Sequence, residues 1–212
     1  MYSRRRILRR GRAWEQGLFR ARRKAYGGDG QNWLWSEWEP HFQPFGFVPV
    51  LDFIHALTHV YAAATAGQSR EAGWQTYRRW IEWVWQGEVE RVIDALVQRQ
   101  SELGPPADDD GPTSPRRLVA ATRTYLQNQQ SRMDSPEYRR LGLPITSAPM
   151  ESTIKQLNRR VKGSEKYWSE RGAEALPQLT ADYLCDSRPL TSFWTARDRR
   201  QTGQRPPAHT TA

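Results

Sequence analysis

The feature that most constrains the fold is helical hydrophobic periodicity between residues 69 and 103. Apolar side chains recur every three or four positions, and the pattern resumes after Gly87. This spacing predicts one or two helices that pack through an apolar stripe. Trp80, Trp83 and Trp85 add aromatic bulk that is typical of a packing core. The members of the stripe are Trp74, Tyr77, Ile81 and Val84, followed by Val89, Val92, Ile93, Leu96 and Val97.

The segment before this stripe combines a short strand with a helix. Residues 47–51 form an apolar run with a central Pro49, which predicts a modest or edge strand. Residues 53–66 have helical spacing and end at Gly67. On the helix, one face is predicted to carry Ile54, Leu57 and Tyr61.

The segment after the stripe alternates loops with helices. Residues 104–115 are rich in Pro, Gly and Asp and predict a loop. Ser114 and Pro115 then form a helix start, and the inner face of this helix continues to about residue 132 through Leu118, Thr122, Tyr125 and Leu126. Residues 135–151 look irregular. Further helices are expected at 149–161, with Ile154, Leu157 and Val161 buried, and at 170–184, where Pro177 should kink the helix.

Positive charge is concentrated at the N-terminus. The chain has a net charge of +9, and residues 1–24 contain ten Lys or Arg against the single acid Glu15. The remaining residues carry 22 basic and 22 acidic side chains, so they are balanced. A basic arm of this kind, including Arg5 and Arg9, suits binding to a phosphate backbone. No apolar run is long enough for a membrane span, and the lone Cys185 fits a reducing compartment.

Two short stretches place potential metal ligands close together. In "GGDGQNW", Asp29 lies in a glycine turn, which is either a plain turn or a place where a carboxylate reaches a metal. In "LDFIHALTH", Asp52, His55 and His59 are spaced by three and four residues. That spacing is compatible with a zinc site, and equally with an N-cap Asp followed by polar residues on a half-exposed face.

Glu151 lies where the helix predicted for residues 149–161 should begin. With Ala148 as N-cap and Pro149 as first helical residue, it is a first-turn acid, which the helix dipole favours. The same carboxylate would also suit Mg²⁺, with basic residues following on the helix to hold phosphates. These basic residues are Lys155, Arg159, Arg160 and Lys162.

The segments "GDGQNWLW", "FVPVLDFIHAL" and "YRRLGLPITSAPMESTIKQLNRRVKGSEKYWSERGAEA" together resemble bacterial insertion-sequence transposases of the DDE type, Mutator-like branch. The resemblance covers roughly residues 24–194, and the last segment is its most specific part. It implies an RNase H-like core interrupted by a helical insertion, with two Mg²⁺ (or Mn²⁺) ions on three carboxylates. Such ions activate a nucleophile for attack on a phosphodiester.

The resemblance assigns roles to individual acids. Asp29 matches the second acid and Glu151 the third, while Asp52 and His55 match a supporting segment; an alternative alignment makes Asp52 the second acid. The first acid should lie upstream, but no Asp precedes Asp29 in the sequence, and Glu15 is in an arginine-rich context. Pro149 and Met150 also depart from the small and aliphatic residues that are usual before the Glu.

The expected fold is therefore α/β tending to mostly α, a partial RNase H-like core without its first strands. We expect a basic arm (1–24), a partial core (25–68), a helical insertion (69–135), a segment with the catalytic Glu (136–194) and a disordered tail (195–212). The expected function is that of a truncated transposase, inactive alone, that binds transposon and target DNA as a homo-oligomer in the cytoplasm, associated with the nucleoid when DNA-bound. The alternative is a non-enzymatic nucleic-acid-binding protein that uses the basic arm and the Lys155, Arg159 and Lys162 face.

Overall fold

The computed structural model describes residues 17–162, 167–184, 188 and 190–202, and within these ranges it is mostly helical. The strands are β1 (Ala25–Gly28) and β2 (Val48–Leu51). Short 3₁₀ turns occupy Leu18–Arg20, Gln43–Phe45 and Gln130–Arg132. The helices are α1 (Asn32–His41), α2 (Phe53–Thr65), α3 (Arg70–Trp85), α4 (Val89–Leu103), α5 (Pro115–Gln129), α6 (Ser135–Arg140), α7 (Ala148–Val161), α8 (Glu170–Leu184) and α9 (Thr191–Thr202).

The chain divides into two compact units, Met1–Ser147 and Ala148–Ala212. In the first unit, β1 and β2 pair in parallel, with Ala25 opposite Val48 and Gly28 opposite Leu51. The two-stranded sheet and the helical content agree with a mostly α chain that contains a small α/β element. Among the described residues, no helix is both long and apolar enough to cross a membrane.

The core of the first unit lies among α2, α3, α4 and α5. It consists mostly of small and branched side chains, together with the buried rings of Trp80 and, from α1, Trp35. Of the one or two helices that the sequence allowed for residues 69–103, the structure has two, since α3 ends at Trp85 and α4 begins at Val89. The fully buried residues include Ala56, Val60, Val84, Val92, Leu96, Val119 and Leu126.

The predicted start of α5 is confirmed in atomic detail. The Ser114 side chain accepts a hydrogen bond from the backbone N–H of Arg117, and Pro115 is the first helical residue. We expect Ser114→Ala to lower the free energy of unfolding by about 1 kcal/mol, the usual value of an N-cap. Urea denaturation would measure it. Ser101→Ala is the control, because the Ser101 hydroxyl donates to the Gln98 carbonyl and does not cap a helix N-terminus. An equal loss of stability in both variants would contradict the prediction.

Several predicted faces are wrong. On α2, Ile54 and Tyr61 are about half exposed, and the buried side chains are Ala56, Val60, Ala63 and Ala64. On α3, Trp74 is exposed while Trp80 is buried. On α2, the face toward the neighbouring helices carries small residues that allow close backbone approach, and the larger Ile54 and Tyr61 lie off it. On α3, the buried face is that of Gly73, Trp80 and Val84, and Trp74 lies outside it.

The stretch predicted as irregular from residue 135 contains α6. Asp134 caps this helix by accepting a hydrogen bond from Glu137 N–H, and Pro136 occupies its first turn. Tyr138 and Leu143 pack with Val50, and the Tyr138 hydroxyl donates to the Pro49 carbonyl at 3.2 Å. These contacts place α6 in the first unit, which ends at Ser147.

In the second unit, the helices largely match the predicted ranges. α7 begins at Ala148, one residue before the predicted start, and contacts α8. Its Ile154, predicted to be buried, is 47% exposed; the Leu157 and Val161 side chains lie outside the described residues. Pro177 lies inside α8 as predicted. The tail predicted to be disordered from residue 195 is helical as far as Thr202 in α9, and residues 203–212 and Cys185 lie outside the described residues.

Candidate metal and nucleic-acid site

Two acids follow the carboxyl ends of the paired strands. Asp29 comes directly after Gly28 of β1, and Asp52 directly after Leu51 of β2. Because Gly28 pairs with Leu51 in a parallel register, both acids lie at one edge of the sheet. The backbone N–H of Asp52 donates to the Gly28 carbonyl at 2.8 Å and continues the pairing. The carboxyl edge of parallel strands is where α/β proteins commonly bind ligands.

The Asp29 carboxylate is oriented but not saturated. Its Oδ1 accepts from the backbone N–H of Gln31 at 3.1 Å, and its Oδ2 from Gln31 Nε2 at 2.9 Å. The Gln31 amide is itself held, because Trp33 Nε1 donates to its Oε1 at 2.6 Å. Asp29 is half-buried, and each oxygen accepts a single hydrogen bond, so each retains capacity for a further partner.

Helix α5 holds the turn that carries Asp29 by its backbone. The Tyr125 hydroxyl donates to the Asp29 carbonyl at 2.9 Å, and Gln129 Nε2 donates to the Gly30 carbonyl at 3.0 Å. Gly30 has φ +93°, and a Cβ built there would lie 2.8 Å from the Tyr125 ring. The glycine is therefore required for both the turn and the close approach of α5.

Asp52 is buried and fully engaged. It is 5% exposed, caps α2 by accepting from His55 N–H at 2.7 Å, and accepts through Oδ2 from the backbone N–H of Ser147 and from the Thr146 hydroxyl. Burial acts to raise the pKa of this carboxyl, but the hydrogen bonds from Ser147, His55 and Thr146 outweigh it and the pKa is lowered. The sequence allowed Asp52 to be a metal ligand or a helix N-cap, and in the structure it is the N-cap of α2.

The two histidines of α2 face Tyr125. His59 stacks on the Tyr125 ring with centroids 4.1 Å apart, and His55 lies 5.2 Å from His59. Burial, and then the proximity of His55, lower the pKa of His59. Burial, followed by the charges of Asp29 and Asp52, raises the pKa of Tyr125. The Tyr125 phenol is thus kept neutral as a hydrogen-bond donor to the turn.

The zinc alternative is wrong within the part of the chain that the structure describes. No group of three or more His, Cys, Asp or Glu side chains there is arranged to hold a metal ion. The spacing of Asp52, His55 and His59 is helical, but Asp52 directs both oxygens to backbone and hydroxyl donors while His59 stacks on Tyr125. Among the described residues, no three carboxylates lie together in an arrangement that could hold a metal ion.

The remaining predicted residues belong to the second unit or lie outside the described residues. Glu151 is in the first turn of α7 and exposed, with Lys155 Nζ 4.0 Å from its Oε2. Lys155, Arg159 and Lys162 are also exposed. Arg5, Arg9 and the side chain of Arg160 are not among the described residues.

Sequence reasoning missed the residues that shape the turn and hold Asp52: Gln31, Tyr125, Gln129, Thr146 and Ser147. Only Gln31 carried a local signal. In an Asx turn, an Asp side chain accepts a hydrogen bond from the backbone N–H two residues further on, as Asp29 does from Gln31. The others act over separations of 94 to 99 residues.

Comparisons of the chain with protein-family models, with curated proteins and with solved structures find no match. The chemical assignment of the site therefore depends on its residues and on the resemblance in its motifs.

Proposed function

We propose that this chain acts on DNA in the manner of a DDE transposase, by metal-dependent phosphodiester cleavage and strand transfer as a homo-oligomer. The observation that best supports the proposal is the half-buried Asp29 carboxylate after β1, beside the end of a parallel partner strand and oriented by Gln31. A carboxylate at such a strand end, with unused acceptor capacity, is a hard oxygen ligand of the kind Mg²⁺ prefers.

The contacts of the two acids favour Asp29 over Asp52 as the second acid of the triad. A metal on Asp52 would have to displace hydrogen bonds that cap α2 and hold Thr146 and Ser147. A metal on Asp29 would displace none of these. Asp52 and His55 then have supporting roles. Asp52 holds Thr146 and Ser147, and the backbone N–H of His55 donates to Asp52 in the N-cap of α2.

In the proposal, Asp29 and Glu151 each have the role of a metal ligand. A bound Mg²⁺ or Mn²⁺ would polarise the phosphate and activate the attacking oxygen. Gln31 orients the Asp29 carboxylate, while Lys155, Arg159, Arg160 and Lys162 on α7, with Arg5 and Arg9 of the arm, bind backbone phosphates.

The test of the ligand assignment is Mn²⁺ binding, followed by electron paramagnetic resonance in the presence of a DNA end. We expect Asp29→Ala to weaken Mn²⁺ binding by about tenfold or more, the scale seen when metal sites lose supporting groups. Asp94→Ala is the matched control, because it removes an exposed carboxylate from α4. Equal Mn²⁺ binding by the wild type and both variants would contradict the role of Asp29.

A cleavage assay tests whether the chain cuts DNA by itself. With two ligands, the 212-residue chain is expected to turn over a DNA end slowly or not at all in Mg²⁺ or Mn²⁺. Robust cleavage that disappears in Glu151→Ala would support transposase chemistry and overturn the expectation of low activity.

A second candidate function is non-enzymatic nucleic-acid binding. It is favoured by one observation: the described residues do not assemble three carboxylates. The two functions predict different behaviour of the same variant. If Asp29→Ala leaves both DNA affinity and Mn²⁺ uptake unchanged, and no cleavage occurs under any condition, binding alone is the function.

A further inference from the structure

A cavity of about 590 Å³ lies between the end of α2 and the start of α3, away from Asp29 and Asp52. Its volume is in the range of small-ligand sites. Two aromatic residues, a guanidinium and a carboxylate line it: Tyr61, Trp74, Arg70 and Glu71. Nothing proposed so far uses this cavity.

The aromatic wall of the cavity is about half exposed. Tyr61 is 48% exposed and Trp74 52% exposed, although each packs on a neighbouring ring. Tyr77 lies against both, with centroids 5.0 Å from Tyr61 and 5.7 Å from Trp74. Tyr77 meets Tyr61 edge-on at 80° and Trp74 at 51°, so it holds both rings in place, and the exposed Trp74 ring is the surface on which a planar ligand can stack.

Two arginines flank this surface along α3. Arg70, Trp74 and Arg78 are spaced by four residues, so they form one stripe with about 6 Å between successive members along the helix axis. All three are exposed, and neither guanidinium makes a hydrogen bond, ion pair or ring contact within the described part of the chain. A cationic ligand would be repelled by this pair, whereas phosphates would be attracted.

We propose that this cavity and stripe form a site for an unpaired nucleotide of single-stranded DNA. The base stacks on Trp74 beside Tyr61, Arg70 and Arg78 bind the flanking phosphates, and Glu71 accepts a hydrogen bond from an N–H group of the base. Alternating aromatic and basic side chains are how proteins hold single strands without sequence preference. The choice of DNA as the polymer rests on the proposed function; the geometry itself identifies a planar base with adjacent phosphates.

The experiment is fluorescence anisotropy with a labelled oligothymidylate about 12 nucleotides long, within the usual size of such sites. EDTA is present throughout, so failure of metal chemistry cannot affect the result. We expect Trp74→Ala to weaken binding by roughly 5- to 100-fold, as expected for one lost stacked base. Trp74→Phe should retain most of the affinity, and Trp194→Ala, which removes a similarly exposed tryptophan from α9, should have no effect.

The phosphate contacts have a separate readout. The double variant Arg70→Ala, Arg78→Ala should reduce the slope of log affinity against log salt concentration by about 1.4. This value corresponds to the loss of two phosphate contacts, at about 0.7 for each contact with a single strand. Arg91→Ala is the control for loss of charge, and Trp168→Ala is the control for loss of an aromatic ring. Neither residue lies on the stripe. Equal affinities for the wild type and Trp74→Ala, or loss of binding in Trp74→Phe to the level of the alanine variant, would overturn the site.

The source of the nucleotide is decided by competition. Unlabelled oligothymidylate should displace the probe, whereas thymidine monophosphate at the same nucleotide concentration should not. Displacement by the mononucleotide would assign the cavity to free nucleotides and overturn the DNA strand as its ligand. Tighter binding of a matched RNA oligomer, with the same dependence on Trp74, would overturn DNA as the polymer.

Discussion

Replacing Asp52 with alanine is expected to lower the free energy of unfolding by about 2–4 kcal/mol. About 1 kcal/mol comes from the lost N-cap of α2, and about 1–3 kcal/mol from the Ser147 N–H and Thr146 hydroxyl, which lose their acceptor. Urea denaturation at neutral pH measures the loss. The variant leaves Asp29 untouched, so its effect on stability can be separated from metal ligation.

Asp134→Ala is the matched control for this prediction. Asp134 is also an N-cap aspartate, on α6, but it is exposed, and its side chain accepts a hydrogen bond from the N–H of Glu137 at 3.1 Å. We expect a loss of about 1 kcal/mol from this variant. If Asp52→Ala costs no more than Asp134→Ala, the contacts with Thr146 and Ser147 contribute nothing and the assignment of Asp52 as an anchor is wrong.

Asp52→Asn tests the charge of the same group through pH. The pKa of Asp52 is lowered in the folded chain, so its stabilising contribution is complete above the pKa of the unfolded chain, about 3.9. That contribution is lost as the pH falls through the lower, folded pKa. The stability difference between wild type and Asp52→Asn should therefore be constant between about pH 5 and 7 and shrink below about pH 4. A difference that does not change with pH would show that the carboxylate charge is unimportant.

The parts of the fold that sequence predicted are those with local causes. The Ser114 cap and the capping option for Asp52 each depend on residues within four positions of one another. β1 was missed because four residues that include two glycines have little strand preference; they become a strand by pairing with β2, more than 20 residues away. The buried face of α2 was wrong because Ile54 and Tyr61 are the bulkier apolar side chains, whereas close helix packing selects the small residues Ala56, Ala63 and Ala64.

The candidate site shows the same division between local and distant causes. Asp29, Asp52 and His55 could be named from their motifs, but the difference between Asp29 and Asp52 could not. That difference arises from Ser147 and Thr146, which approach Asp52 from a segment 94 residues or more along the chain. Sequence spacing treats the two acids as equivalent, whereas burial and hydrogen bonding give one of them a structural role and leave the other with acceptor capacity.

Gly30→Ala is expected to lower the free energy of unfolding by about 2–4 kcal/mol. Part of the cost, about 1–2 kcal/mol, comes from holding an alanine at φ +93°. The rest comes from contact, because the new Cβ would lie 2.8 Å from Tyr125 Cε2 and 3.2 Å from Leu51 Cδ1. Tyr125 cannot move away without weakening the hydrogen bond that its hydroxyl donates to the Asp29 carbonyl.

Gly17→Ala separates these two contributions. Gly17 has φ +70°, and a Cβ there would meet no atom within 4 Å, so its replacement carries the backbone cost alone. We expect the loss of stability in Gly30→Ala to exceed that in Gly17→Ala by about 1–2 kcal/mol, the cost of overpacking. Tyr125→Leu should reduce the excess, because a smaller side chain leaves room for the added methyl group. If both alanine variants lose the same stability, α5 does not pack closely on the turn, and the Asp29 carboxylate lacks the rigid support that the proposed metal site needs.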